Sequence, residues 1–495
     1  MVPRAHKPIL PLPRRQRDLA SVLIATCGAL AAACGTVPIE ILPDARDAGE
    51  PDVATDVTID INQDILNSGG ETAIAKDIDP NAKELCDNNI DDNGDGRVDE
   101  NCWPAPNLRP DEKWFDFGTV VISGAKGPAP TLTFAAPTKN QGMVLVARDI
   151  TAGQKAYVWA EQLRTPSGLQ EIGLGANWAE KSPNRAGPQV AGATALIGES
   201  AEVTVAEGVW EFGFVRADLP PWKYLGTPQK GALQLGLLSR PDVAQQPLVL
   251  DLDVYLVGGT TGMSPEAFGK SPQWQQMRSK VEALWNGKSD PGALGIGITL
   301  GDVQFFALEG DGAKEFKYID NVLSGGADNE LPKVYGLTGA MRPTSTAATL
   351  VLVSGLYDKG VGVYVGLSQL AGVNGMASSR FSGMAVVIDE KDWAVALAEG
   401  ASGTTAGDVF GVILAHEIGH FLGLWHTDEA DGTLHDPVAD TGECQVAAPV
   451  LTPDLCLVQA RNLMFWQPDN QGKPLKITGD QRIVVRHSPA LHPKP

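Results

Sequence analysis

The sequence predicts a multidomain protein with a disordered amino-terminal tether, an antiparallel β-sandwich and an α/β domain. At 495 residues the chain is too long for one hydrophobic core. From Gly35 to Cys102 it carries 18 acidic and 4 basic residues, a composition that resists folding. Short turn-separated apolar runs follow, and then strand patterns interspersed with a long amphipathic helix. The predicted segments are a signal peptide (1–33), an acidic flexible linker (34–80), a cysteine-flanked loop (84–102), a β-sandwich (105–247) and an α/β domain (248–495).

The net charge of −21 excludes a nucleic-acid-binding surface, because such surfaces are basic. The acidic segment from Gly35 to Cys102 holds −14 of that charge, so the charge says little about the substrate of the folded part. No uninterrupted apolar run reaches the roughly 18 to 20 residues of a membrane-spanning helix, which excludes an integral membrane protein of that kind.

The amino terminus has the pattern of an export signal. Arg14, Arg15 and Arg17 precede a mostly apolar segment, Leu19 to Ala33, which ends in small residues before Cys34. This arrangement resembles a bacterial lipoprotein signal, in which the cysteine is acylated and tethers the protein to a membrane. An ordinary signal peptide followed by an incidental cysteine is the alternative. Both predict an exported protein of the bacterial envelope or a secreted one.

The cysteines agree with export. Cys86 and Cys102 lie close together, and so do Cys444 and Cys456. Two short-loop disulfides are the simplest arrangement in an oxidising compartment, and other pairings stay open.

An aspartate-rich loop between Cys86 and Cys102 predicts a calcium site. Oxygen-bearing side chains recur at alternate positions of this loop, and Gly96 permits the sharp turn. Cys102 stands where an EF-hand has a bidentate glutamate, so the loop resembles instead the cysteine-flanked Asp/Asn-rich repeats of secreted bacterial surface proteins. A solvated acidic turn is the alternative. The predicted calcium ligands are Asp91, Asn93, Asp95, Asp99 and the backbone carbonyl of Arg97.

The middle and carboxy-terminal parts differ in their hydrophobic pattern. Runs such as Trp210–Phe214 alternate with period two and predict an antiparallel sandwich, either a surface-binding module or a support for the next domain. Beyond Leu248, strand patterns surround an amphipathic helix near Pro272–Asn286, which predicts an α/β sheet. We predict strands at Leu248–Val257, Gly295–Leu300, Thr349–Val353, Val361–Val365 and Met384–Ile388.

Three of the seven histidines fall between residues 416 and 426. His416 and His420 lie one helical turn apart and project from the same face, as two zinc ligands must. Gly423 allows the helix to end, so that His426 returns as a third ligand. Three imidazoles leave one zinc coordination position open for water. Glu417 is placed to act on that water as a general base.

This segment resembles the signature of the metzincin metalloproteases, HExxHxxGxxH, and with Asn462–Met464 it is most similar to the pappalysin-like branch. The resemblance implies that Met464 forms the methionine turn beneath a zinc ion. It also implies hydrolysis of a protein or peptide substrate, which we expect to align on the strand at 382–388. Four further polar residues follow the third histidine: His435, Asp436, Asp440 and Glu443. They are predicted either to bind a second calcium ion or to form a wall of the substrate cleft. The alternative is a surface loop that a disulfide holds in place.

The sequence therefore predicts an exported, lipid-anchored zinc endopeptidase with Zn²⁺ and Ca²⁺ as cofactors. It predicts contact with a membrane only through the lipid anchor. A calcium-stabilised adhesion protein with an idle zinc site is the alternative from another class. A zinc hydrolase that cuts a non-peptide amide or a peptidoglycan crosslink is a third possibility.

Overall fold

The computed structural model describes residues 108–494 apart from several loops, of which the longest are 173–185, 198–206, 287–296, 369–382 and 389–405. Sheet predominates in the described residues and helices are few. None of the described helices has the length and apolar character needed to cross a membrane. The predicted signal peptide, Cys34, the linker 34–80 and the predicted calcium loop with Asp91, Asn93, Asp95, Arg97 and Asp99 between Cys86 and Cys102 lie outside the described residues.

The first half of the described chain forms one antiparallel sheet, in which every strand pair is antiparallel. The strand order is β1-β9-β3-β7-β6-β4-β8-β2, with β5 paired to β4. The strands are β1 (Lys113–Ile122), β2 (Thr131–Ala136), β3 (Gln141–Asp149), β4 (Tyr157–Arg164), β5 (Gln170–Ile172), β6 (Ala186–Val190), β7 (Gly192–Ile197), β8 (Gly208–Ala217) and β9 (Gly231–Pro241).

This antiparallel sheet curls until its two ends meet. β1 and β2 lie at opposite ends of the hydrogen-bonded order, yet the ring centroids of Phe115 and Phe134 are 4.8 Å apart. Trp210, Phe212 and Phe214 alternate along β8 and are buried in the same core, as the period-two pattern predicted. The sheet thus encloses an aromatic core of its own.

The second half contains a mixed sheet of order β11-β10-β13-β17-β16, with β18 paired to β10. β10, β11, β13 and β17 are parallel to one another, and β16 is antiparallel to β17. A small three-stranded sheet, β12-β14-β15, lies beside it. The strands are β10 (Leu248–Val257), β11 (Ile298–Leu308), β12 (Tyr318–Ile319), β13 (Ala348–Val353), β14 (Gly355–Asp358), β15 (Val361–Tyr364), β16 (Gly366–Ser368), β17 (Met384–Val387) and β18 (His492–Pro493).

The described helices are α1 (Pro265–Gly269), α2 (Pro272–Trp285), α3 (Leu331–Met341), α4 (Ala406–Phe421) and α5 (Gly479–His487). α2 begins as predicted, with the Ser271 side chain accepting a hydrogen bond from the backbone of Trp274. α2 and α4 bury their apolar faces in one core with the mixed sheet. α3 belongs to a separate cluster that includes Tyr255, Val351 and Ala385.

The strand at 382–388, on which we expected a peptide substrate to align, is not a free edge of the sheet, and this expectation was wrong. β17 pairs with β13 on one side and with β16 on the other, so it lies inside the mixed sheet. The outer strand on this side of the described sheet is β16, which runs antiparallel to β17. β16 has only three residues, Gly366–Ser368, and this is too short to produce a detectable hydrophobic period.

The antiparallel sheet is docked against the mixed sheet by buried polar contacts. Arg240 of β9 donates hydrogen bonds to the carbonyl oxygens of Ser488 at 2.8 Å and Pro489 at 3.4 Å, just after α5. A side chain at Gly142 of β3 would collide with the carbonyl of His487, so the two backbones touch there. Near the start of the described chain, Arg109 pairs with Asp251 of β10 at 3.3 Å.

Candidate metal centre

The three clustered histidines come from α4 and the turn that follows it. His416 and His420 are one turn apart on this buried helix. Gly423 then adopts a φ of +118°, in the region that favours glycine, and the helix ends. The backbone N–H of Leu424 donates to the carbonyl of Gly419 at 2.9 Å, which turns the chain back along the helix. This turn places His426 beside the other two rings.

The three Nε2 atoms face one another at close range. They are 3.0 Å apart between His416 and His420, 3.1 Å between His420 and His426, and 3.2 Å between His416 and His426. Nitrogens this close together could all contact a single ion at about 2.0 to 2.1 Å, the usual zinc-to-histidine distance. The three side chains are at most 6% exposed.

The partners of the opposite ring nitrogens show which form each ring takes. His416 Nδ1 donates to the carbonyl of Leu463 at 2.6 Å, and His420 Nδ1 to the carbonyl of Leu424 at 2.8 Å. His426 Nδ1 lies 2.9 Å from a carboxylate oxygen of Glu429. These oxygens only accept, so in the neutral rings each Nε2 carries a lone pair. Three lone pairs that converge in this way suit a cation, and the residues therefore fit a bound zinc ion.

Glu417 directly follows His416 on α4 and is 2% exposed. Its carboxylate packs directly against the backbone of β16: a Cβ atom at Gly366 would overlap Glu417 Oε1. Only glycine fits at this point of the outer strand without displacing the carboxylate. Gly366 was not predicted as a site residue, because one glycine among 55 carries no recognisable signal.

Met464 lies beneath the helix, fully buried, with its sulfur against Gly419 of α4. Its carbonyl accepts a hydrogen bond from the backbone N–H of Thr427 at 2.9 Å. Its own N–H donates to the side chain of Asn462 at 2.8 Å. The turn at 462–464 is therefore bonded to the segment that carries the third histidine, and it positions the carbonyl of Leu463 for His416.

A second group of polar residues follows His426, and Asp428 within it is fully buried. One carboxylate oxygen of Asp428 lies 2.7 Å from both His435 Nδ1 and the backbone nitrogen of Cys444. Burial raises the pKa of Asp428, and it raises the pKa of Asp436 to about 8. The Thr441 hydroxyl donates to Asp436. Cys444 is joined to Cys456 in a disulfide, and Asp440 accepts the backbone N–H of Asp480 at 2.9 Å.

Tyr335 reaches the same region from α3. Its ring packs against Gly383, where a Cβ atom would collide with it. Burial raises the pKa of the Tyr335 hydroxyl well above its usual range, and the charge of Glu417 acts in the same direction. Neither Tyr335 nor Glu429 was predicted from the sequence, because neither lies in a recognisable motif.

Comparison with known proteins adds no family. No protein-family profile matches the chain, and neither does any curated protein sequence. Among solved structures, a Bacillus subtilis protein is similar at 12% identity over 63% of this chain and 88% of its own, with a TM-score of 0.14. A family two carbohydrate esterase from Cellvibrio japonicus is similar at 12% identity over 49% of this chain and 78% of its own, with a TM-score of 0.10. A Podospora anserina β-(1,4)-mannanase is similar at 11% identity, over 66% of this chain and 68% of its own, with a TM-score of 0.13. TM-scores this low carry no argument about fold or function.

Proposed function

We propose that this chain is an exported zinc-dependent endopeptidase of the metzincin type. The observation that carries the proposal is the convergence of three Nε2 lone pairs, 3.0 to 3.2 Å apart, at a helix that also carries the buried Glu417 directly after His416. An acid placed next to a three-histidine site has the chemistry of hydrolysis. An adhesion protein has no physical need for that acid, which is why we prefer the enzyme.

In this proposal His416, His420 and His426 hold zinc, which supplies a Lewis acid and makes water acidic enough to ionise near neutral pH. Glu417 takes the proton from the attacking water and returns it to the leaving amine, so that one water molecule is added across the cleaved C–N bond. Gly366 keeps the carboxylate in place, since no side chain at this position can push it away.

The substrate we propose is an extended peptide. β16 is one of the two outer strands of the mixed sheet in the described residues, and its first residue touches Glu417. A peptide that added to this edge by backbone hydrogen bonds would pass beside the proposed metal site. This replaces the strand at 382–388 as the aligning element.

The finer domain layout and the location belong to the same proposal. Two cores, one inside the antiparallel sheet and one between the mixed sheet and its helices, support a β-sandwich domain followed by a metzincin-like catalytic domain. The segment before Cys34 and the loop from Asp91 to Asp99 support export, lipid anchoring and a bound calcium ion.

Cleavage of an unbiased peptide library by the 35–495 chain tests the proposal, beside Glu417→Gln. The matched control is Glu443→Gln, because Glu443 is an exposed glutamate on the loop after His426. We expect the parent and the control to cut, and Glu417→Gln to lose the activity while still binding zinc. Stoichiometric zinc without any peptide cleavage would contradict an endopeptidase and favour a non-peptide amide substrate.

A further inference from the structure

Trp425 lies inside the histidine segment but does not pack in the core of that half of the molecule. It is partly buried against the aromatic core of the antiparallel sheet, the cluster that contains Phe134, Trp210 and Phe212. Its neighbour Leu424 is 1% exposed and belongs to the core between the mixed sheet and α4. The short segment 424–426 is therefore held by two different hydrophobic cores.

The residues on either side of Trp425 both take part in the histidine cluster. The carbonyl of Leu424 accepts the hydrogen bond from His420 Nδ1 at 2.8 Å. On the other side, His426 contributes its own Nε2, 3.1 Å from that of His420. A displacement of Trp425 would thus move one ring directly and another through its hydrogen-bond partner.

The contact of Trp425 with the aromatic core can position the histidine segment only if the antiparallel sheet is itself fixed to the rest of the molecule. The hydrogen bonds from Arg240 to the carbonyls of Ser488 and Pro489 hold it there, since the Arg240 side chain is buried. The contact of Gly142 with the backbone of His487 and the Arg109–Asp251 ion pair act at two further places. These contacts lie far from residue 425 in the sequence, so the docking does not depend on Trp425 alone.

We propose that the antiparallel sheet is a structural part of the metal centre, and that Trp425 is the positioning residue through which it orients His420 and His426. The inference rests on the metal site proposed above. The sheet is then more than a spacer, because its contact with Trp425 helps to set the ligand geometry. Residues that orient metal ligands typically change metal affinity by about 10- to 100-fold when they are lost.

The test is metal binding by the 35–495 chain and its Trp425→Ala, Trp425→Leu and Trp425→Phe variants. Zinc affinity is measured by competition with a chromogenic chelator, and cobalt(II) is used as a spectroscopic probe of the ligand geometry. We expect Trp425→Ala to raise the zinc dissociation constant about 10- to 100-fold and to alter the visible cobalt bands. Trp425→Phe should restore most of both, with Trp425→Leu between them. If the alanine variant does not fold, the leucine and phenylalanine variants provide the comparison.

Phe117→Ala is the matched control. Phe117 packs against the same aromatic core from β1, 5.5 Å from Phe212, and it has no place in the histidine segment. It should lower thermal stability and leave the zinc affinity and the cobalt bands unchanged. Equal metal binding by Trp425→Ala and the parent, or equal weakening by Phe117→Ala, would overturn the inference. Because no peptide is used, absence of protease activity would not affect the result, whereas a parent chain that binds neither metal would overturn both proposals.

Discussion

The carbonyl oxygen of Leu463 accepts a hydrogen bond from His416 Nδ1 at 2.6 Å, joining a turn near the end of the chain to a helix 47 residues earlier. A carbonyl cannot donate, so this contact places the proton of the neutral ring on Nδ1 and the lone pair on Nε2. The turn at 462–464 therefore acts on the chemistry of the histidine cluster as well as on its packing.

Replacement of Gly366 by alanine should abolish most of the hydrolytic activity without removing the metal. The new Cβ atom would overlap the Glu417 carboxylate and displace the proposed base, while the three histidines are untouched. We expect kcat/KM to fall by about 100-fold or more, in the range for loss of a general base, with one zinc still bound per chain. Ser368→Ala on the same strand adds no atoms and is the control. An unchanged rate for Gly366→Ala would contradict the placement of Glu417.

Loss of the Glu429 carboxylate should weaken metal binding. Glu429 lies 2.9 Å from His426 Nδ1 and sets the orientation of that ring. We expect Glu429→Leu to raise the zinc dissociation constant about 10- to 100-fold, measured by chelator competition. Glu429→Gln should have a smaller effect, because its amide oxygen still accepts the hydrogen bond. Glu443→Gln, on the exposed part of the same loop, should bind zinc as the parent does, and a similar loss in this variant would rule out a specific role for Glu429.

Gly419→Ala should destabilise the protein although alanine is the better helix former. Helix propensity alone favours alanine by about 1 kcal/mol. The added Cβ would overlap the sulfur of Met464, and such overpacking in a core costs about 1 to 3 kcal/mol. Urea unfolding should therefore show a net loss of stability. In the double variant with Met464→Ala the two effects should not add, because the clash is gone. A stabilised Gly419→Ala single variant would show that the contact with Met464 is loose.

Stability should fall as the pH rises through the pKa of Asp436. Burial raises this pKa to about 8, and the charge of Asp428 adds to the effect. The folded state therefore holds a proton that the unfolded chain releases near pH 4. The contribution of this proton to the free energy of unfolding is complete below about pH 4 and is lost as the pH rises from there to about 8. Between pH 6 and pH 9 the loss should be roughly 2 to 3 kcal/mol, because stability falls by about 1.4 kcal/mol per pH unit until the pH reaches this pKa. The measurement is urea unfolding in the presence of a chelator, so that no bound cation competes with the proton. Asp436→Asn should remove this pH dependence, and parallel curves for the two proteins would contradict the assignment.

Much of the local structure could be predicted from the sequence, because it depends on neighbours along the chain. The strand at Leu248–Val257 and the helix that begins at Pro272 are where their patterns placed them. The spacing of His416, His420 and His426 was sufficient to bring their rings together, since it reflects one helical turn and one glycine-terminated reversal.

The sequence alone thus determined which side chains meet at the histidine cluster and where elements with a clear period lie, such as the strand at Leu248–Val257 and the helix that begins at Pro272. Only the tertiary structure decided that β16 is an outer strand, that Gly366 touches Glu417, and that Trp425 reaches the core of the other sheet. The physical reason is the range of the interactions. Periodicity and turn chemistry act over a few residues, whereas strand order and core contacts join segments that are tens or hundreds of residues apart, and the pattern within any one segment does not show which partner it will meet.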